Sequence, residues 1–237
     1  GKVNDEMSVT TGLSTGAEDQ VSTNQTLGET GAMGHVAAGS QDYFQRKHVM
    51  LDLAYLEYKP KAVPGLAVTA GRIPNPFYRV NKSDLIWDGD LNFEGVAATY
   101  KLKIGDLMEW YLNGGGFWLQ ERRYTAAPVY STADTSLWGF QTAAKVDLKD
   151  LLEKSYALGG VSYYNYANIE GYPRSVGAGS GQNTVVGTAY AMDYNLINPF
   201  VEVGFPVFGL PVKVYGDLCL NTGAKSVATV RGSNDFA

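Results

Sequence analysis

The densest run of ionisable side chains falls between positions 72 and 94: Arg72, Arg79, Lys82, Asp84, Asp88, Asp90 and Glu94. Charges of both signs at such spacing suit three kinds of chemistry. On a loop that narrows a water-filled passage they set ion preference, because a charge in a confined channel is weakly screened. As clustered carboxylates they could bind calcium. As ion pairs they hold a loop in shape, and Pro74-Asn75-Pro76 favours a fixed shape. The calcium reading draws on Asp88-Gly89-Asp90-Leu91-Asn92 but fails the EF-hand spacing. Phe93 stands where glycine is required, and Thr99 where the bidentate glutamate belongs. Only an improvised site among Asp84, Asp88, Asp90 and Asn92 would remain, so no metal is expected.

Other chemistry is thinly represented. His35 and His48 have no acid–base constellation around them, and a serine hydrolase needs a histidine beside its nucleophile. Gly114-Gly115-Gly116 lies inside a strand-like segment rather than before a helix. It therefore reads as strand bending or close backbone approach, not as a phosphate loop. One cysteine, Cys219, excludes an internal disulfide framework and multi-cysteine metal sites. Neither catalysis nor a cofactor is expected. A net charge of −5 gives no support to nucleic-acid binding.

The elements that would position these residues are strands. Met7, Val9, Thr11 and Leu13 alternate with smaller polar residues, and Val49, Leu51, Leu53 and Tyr55 alternate with Met50, Asp52 and Ala54. The same period of two runs through 94–102, 137–148 and 212–221, and less regularly through 65–72, 107–120, 154–166 and 190–205. That period marks strands with two unlike faces, about nine in all. The second face is built from Ser, Thr, Gly, Ala, Asn and Gln rather than many long charged side chains. This suits a water-filled barrel with its apolar face toward lipid better than a soluble sandwich.

The connections sharpen the choice. Short links at 59–64, 104–106, 149–153 and 206–210 alternate with long ones at 16–42, 73–91, 121–134, 167–188 and 222–235. Short turns on one side and long loops on the other are the layout of an outer-membrane barrel. Aromatic residues fall near strand ends: Tyr55, Tyr58, Tyr100, Trp110 and Tyr156 by the short turns, and Phe117, Trp118, Trp138, Phe140, Tyr163, Tyr164, Tyr166, Tyr190 and Tyr194 by the long loops. An interfacial belt would place them there. Strand parity then assigns Asp52, Lys101, Glu109, Lys145, Asp147, Glu202, Lys213 and Asp217 to the lumen. On the lipid side, Lys or Arg at mid-membrane would cost about 2–4 kcal/mol.

The segment Ala70-Gly71-Arg72-Ile73-Pro74-Asn75-Pro76-Phe77, with Asp84-Leu85-Ile86-Trp87-Asp88-Gly89-Asp90-Leu91-Asn92-Phe93-Glu94-Gly95, resembles a bacterial porin family. There a strand ends in Gly-Arg-x-Pro-Asn-Pro-Phe, and a later Asp-Leu-x-Trp-Asp-x-Asp-Leu-Asn-x-Glu-Gly run leads into the next strand. The resemblance implies an outer-membrane channel without naming a solute. Members of the family are usually longer, which implies that this chain is part of a larger barrel.

The expectation is thus an all-β chain: an antiparallel transmembrane β-barrel, with residues 1–237 forming one domain that is incomplete at one or both ends. It would sit in the outer membrane of a bacterium with a two-membrane envelope. Its partners would be the lipid bilayer and small hydrophilic solutes or ions, with a homo-oligomer left open. Pore-lining candidates are Arg72, Arg79, Asp84, Asp88, Asp90, Glu94, Asp52, Glu109, Glu202 and Asp217. A plugged structural or adhesive barrel, or a barrel sheathing a partner protein, are the competing functions.

Overall fold

The computed structural model describes residues 1–14, 49–89, 91–121, 134–172, 185–186 and 189–224. Its strands are β1 (Met7–Ser14), β2 (Met50–Tyr58), β3 (Leu66–Pro74), β4 (Asn92–Ile104), β5 (Met108–Gln120), β6 (Thr135–Asp147), β7 (Tyr156–Ala167), β8 (Val185–Val186), β9 (Ala189–Tyr190), β10 (Tyr194–Val207), β11 (Leu210–Asp217) and β12 (Leu220–Asn221). Apart from the small β8–β9 hairpin, they form one antiparallel sheet in the order β1-β2-β3-β4-β5-β6-β7-β10-β11, with β12 also on β10. Each of the nine expected strands is present, and short and long links alternate as the sequence implies.

The tightest link is the two-residue turn between β10 and β11. Phe208 and Gly209 both take positive φ, 50° and 78°. This mirror-image turn matches the right-handed twist of the flanking strands.

Two local departures have identifiable causes. Between β1 and β2 the register passes from Gly12↔Leu53 to Leu13↔Leu51, so Asp52 is the extra residue of a bulge and the alternation of β2 breaks there. The expected last strand divides into β11 and β12 although both keep one register on β10. The gap lies opposite Pro199, which has no N–H to give the ladder. Asn198 Nδ2 donates instead to the Leu218 carbonyl at 2.8 Å.

Directly paired residues share a face, so the register sorts the two sides of the sheet. One side presents Val96, Leu112, Trp138, Phe140, Val161, Val201 and Val214 to solvent, with Phe140 at 57% exposure. The other buries Phe93, Ala97, Phe117, Leu137, Gln141, Ala143, Leu158, Ser162, Tyr164, Asn198, Phe200 and Glu202. A single-layer sheet can bury one face only beneath a cover, and the β3–β4 link supplies it. The Phe77 ring lies 6.4 Å from Phe93 on β4, 6.1 Å from Phe117 on β5 and 5.1 Å from Tyr164 on β7. In a flat sheet β4 and β7 would stand about 14 Å apart. The covered face is therefore concave.

At one edge, Gly1–Val3 fold back on β1 through Val9 N to Gly1 O at 2.8 Å and a Lys2↔Ser8 bridge. At the other, β11 has no second strand neighbour among the described residues, and the sheet does not close on itself there.

Candidate functional site

The charged segment singled out in the sequence is the cover of the concave face. Pro74 ends β3, and the chain then turns inward. The Phe77 ring lies over Gly139 of β6, where a Cβ would fall 2.3 Å from the ring; only glycine leaves that space. Trp87 stacks on Phe77 at 5.7 Å and meets Tyr164 edge-on at 4.3 Å. Its indole N–H donates to the Tyr166 hydroxyl at 2.9 Å. Ile169, Tyr190 and Met192, from the link between β7 and β10, join the same buried cluster.

Polar contacts fix the register of the cover. Gln141 of β6 reads the Tyr78 backbone twice: its Oε1 accepts from Tyr78 N at 2.7 Å and its Nε2 donates to Tyr78 O at 2.9 Å. The tip is a 3-10 turn at Val80–Lys82, with positive φ at Asn81 and Lys82. Val80 is buried with Ala143, Leu158 and Phe200. Asn81 N donates to Glu202 Oε2 of β10 at 2.9 Å. Burial, then the nearby Glu202 carboxylate, push the Tyr78 phenol well above its ordinary range, so it stays neutral.

Arg79 holds the loop to itself. Its guanidinium donates to the carbonyls of Ser83, Trp87 and Gly89, and to Asp84 Oδ1 at 3.0 Å. A rigid fork of donors suits this spread of acceptors. Arg79 and Asp84 are thus brought together as an ion pair within the loop, while Asp84 and Asp88 are exposed.

Toward the short turns the concave face changes character and becomes a belt of Lys, Glu and Tyr. The row Lys103–Glu109–Lys145–Leu158–Glu202–Tyr215 runs straight across β4, β5, β6, β7, β10 and β11 by register. Lys101 pairs with Glu109 at 2.7 Å, and Tyr111 donates to Glu109 at 2.5 Å. Lys145 sits over the Tyr156 ring at 4.5 Å. Tyr156 donates to Glu202 Oε1 at 2.5 Å, and Lys213 lies 3.4 Å from that oxygen. Glu202 is 0% exposed; this carboxylate ties the belt to the tip of the loop.

Of the remaining candidates, Arg72, Glu94 and Asp52 stand apart from this site, whereas Asp217 lies beside the loop. Arg72 and Glu94 pair with each other at 2.9 Å, and by register they share the convex face with Val96 and Ala98, so they do not line the concave side. Asp52, at its bulge, accepts from Asn92 Nδ2 at 2.7 Å, and its carbonyl accepts from Arg72 Nε. Asp217 lies on the concave face and accepts from Asn198. Asp90, His35 and His48 lie outside the described residues. The aromatic residues divide as well. Tyr58, Trp110, Trp118, Trp138, Phe140 and Tyr163 are exposed, whereas Phe117, Tyr164, Tyr190 and Tyr194 are buried.

Sequence reasoning missed Phe77, Tyr78, Asn81, Gly139, Gln141 and Tyr156. A bare glycine between Trp138 and Phe140, with an amide two residues on at Gln141, was the available signal for a cover on β6.

The chain is thus an all-β antiparallel sheet with one apolar exposed face and a loop folded onto the other. Residues 1–198 match the family described as "Putative porin", and the chain belongs to that family. No curated protein and no solved structure matches the chain.

Proposed function

We propose that this chain forms wall and constriction of an outer-membrane channel through which small hydrophilic solutes or ions diffuse passively. In this reading the convex face meets lipid and the concave face lines a water-filled lumen. The loop at 75–91 narrows the lumen from within, as part of a barrel in the outer membrane of a two-membrane envelope. The observation that carries it is the pairing of unlike faces on one sheet layer. Val96, Phe140, Val201 and Val214 are exposed on the side opposite Glu109, Lys145 and Glu202. In water an apolar face of that extent would need a second layer; in a bilayer it needs none. The chemistry required of the protein is then modest: exclusion of large solutes by the loop, and a bias on ions from the side chains that remain solvated.

Planar-bilayer recording of the purified chain tests this, with stable ohmic single-channel steps as the expected result. A second reading, a plugged structural barrel, draws on the aromatic packing of Phe77, Trp87 and Tyr164 beneath the loop. An intact, membrane-inserted protein that conducts no ions would favour the plug and overturn the channel.

A further inference from the structure

The mixed signs of the belt suggest weak ion preference when residues are only counted. Geometry separates the signs. All four oxygens of its two glutamates have protein donors or an ammonium against them. Glu109 Oε1 takes Lys101 and its Oε2 takes Tyr111. Glu202 Oε1 takes Tyr156 and Lys213, and its Oε2 takes the Asn81 amide. The carboxylates are also recessed: the Glu202 side chain is 0% exposed against 47% for Lys213, and Glu109 26% against 46% for Lys101.

The ammonium groups are in the opposite condition. Each carries three N–H donors, and among the described residues Lys101 and Lys213 each meet one carboxylate oxygen. Lys145 faces an aromatic ring rather than an anion at close range. Lys103 adds a fourth ammonium in the same row, opposite Glu109. Asp147, one position beyond Lys145 on this face, gives one carboxylate oxygen to the Lys149 amide. On this half four ammonium groups stay solvated and both glutamates are covered, while Asp106 and Asp147 share the recess of Lys103 and Lys145 at the turn itself.

We propose that Lys101, Lys103, Lys145 and Lys213 make the short-turn half of the concave face an anion-preferring belt, giving the pore selectivity for small anions. The proposal rests on the channel reading. An ion passing within about 5 Å of one ammonium in water-like surroundings changes its local concentration by roughly 2–4-fold. Several such groups around one passage act on the same ion.

The test is the reversal potential of single channels of the full chain under a potassium chloride gradient. The expected result is chloride over potassium, with the ratio falling about 2–4-fold in Lys145→Gln and further in Lys145→Glu. Lys145 is the informative position because, among the described residues, it sits in no ion pair within 4 Å, and Glu109 across the ladder keeps Lys101 and Tyr111 when Lys145 is replaced. Lys103→Gln gives an independent second reading, with a fall in the same direction. Ohmic channels that prefer potassium, or a ratio unmoved by Lys145→Glu, overturn the belt and leave the channel standing. No conductance at all overturns the channel and the belt with it.

Discussion

The two halves of the concave face are made from the same strands yet obey different physics. Toward the long loops, Phe77, Trp87, Phe93, Phe117 and Tyr164 form an aromatic core of the kind found inside a soluble domain. Toward the short turns, the same strands β4 to β10 carry lysines, glutamates and tyrosines on a partly solvated surface. The first half is held by shape and burial, the second by charge and hydrogen bonds. What divides them is the loop: where it covers the sheet, side chains are large and apolar, and where its tip ends, at Asn81, the charges begin. Stability should therefore follow the first half and ion passage the second.

The sharpest way to break this contrast is Phe77→Ala. Emptying the space between Trp87, Tyr164 and Gly139 is expected to cost about 3–5 kcal/mol, read as a lowered denaturant midpoint in micelles, together with a larger unitary conductance. Glu202→Ala tests the join between the halves. It leaves the Asn81 amide, the Tyr156 hydroxyl and the Lys213 ammonium without their shared acceptor, at a cost of about 3 kcal/mol. Current noise should rise as the tip comes loose, and Glu202→Gln, which keeps an acceptor for Asn81, should recover part of the loss. Gly139→Ala is next. Its new methyl group would meet a ring hemmed in by four other aromatic side chains, a conflict worth about 1–3 kcal/mol. Fluorescence from Trp87 should report the displacement.

At the small end, Arg72→Ala on the convex side removes an ion pair that is partly solvated, and less than about 1 kcal/mol is expected. Unchanged ion selectivity in the same variant would set Arg72 and Glu94 apart from the belt; a changed ratio would blur the boundary between faces.

The sheet was legible because its signals are local. Alternation in 94–102 or 137–148 and the repeating short and long links depend only on neighbours in sequence. The bulge at Asp52 and the break between β11 and β12 were not, since each is set across the ladder, the second by Pro199 on a different strand. The loop was legible as a rigid charged segment but not as a cover. Parity has nothing to say about a residue outside a strand, and Phe77 reads as one more aromatic until Gly139 is placed beneath it. The charges sorted by contacts that sequence does not carry. Density in sequence drew attention to Arg72 and Glu94, which pair on the far face, while Arg79 spends its guanidinium on its own loop. Glu202 was picked by parity alone, without its link to Asn81.

That link spans 121 residues and bears on the order in which the molecule assembles. Apart from β12 on β10, and with only the small β8–β9 hairpin between β7 and β10, the strand pairings of the sheet join neighbours along the chain, so hairpins can add one after another at little cost in chain entropy. The loop is made early, yet its anchor on β10 arrives only after β4 to β7 have been added. The contacts of Phe77 and Tyr78 with β4 to β7 can form as those strands add, so only the seating of the tip at Asn81 waits for β10.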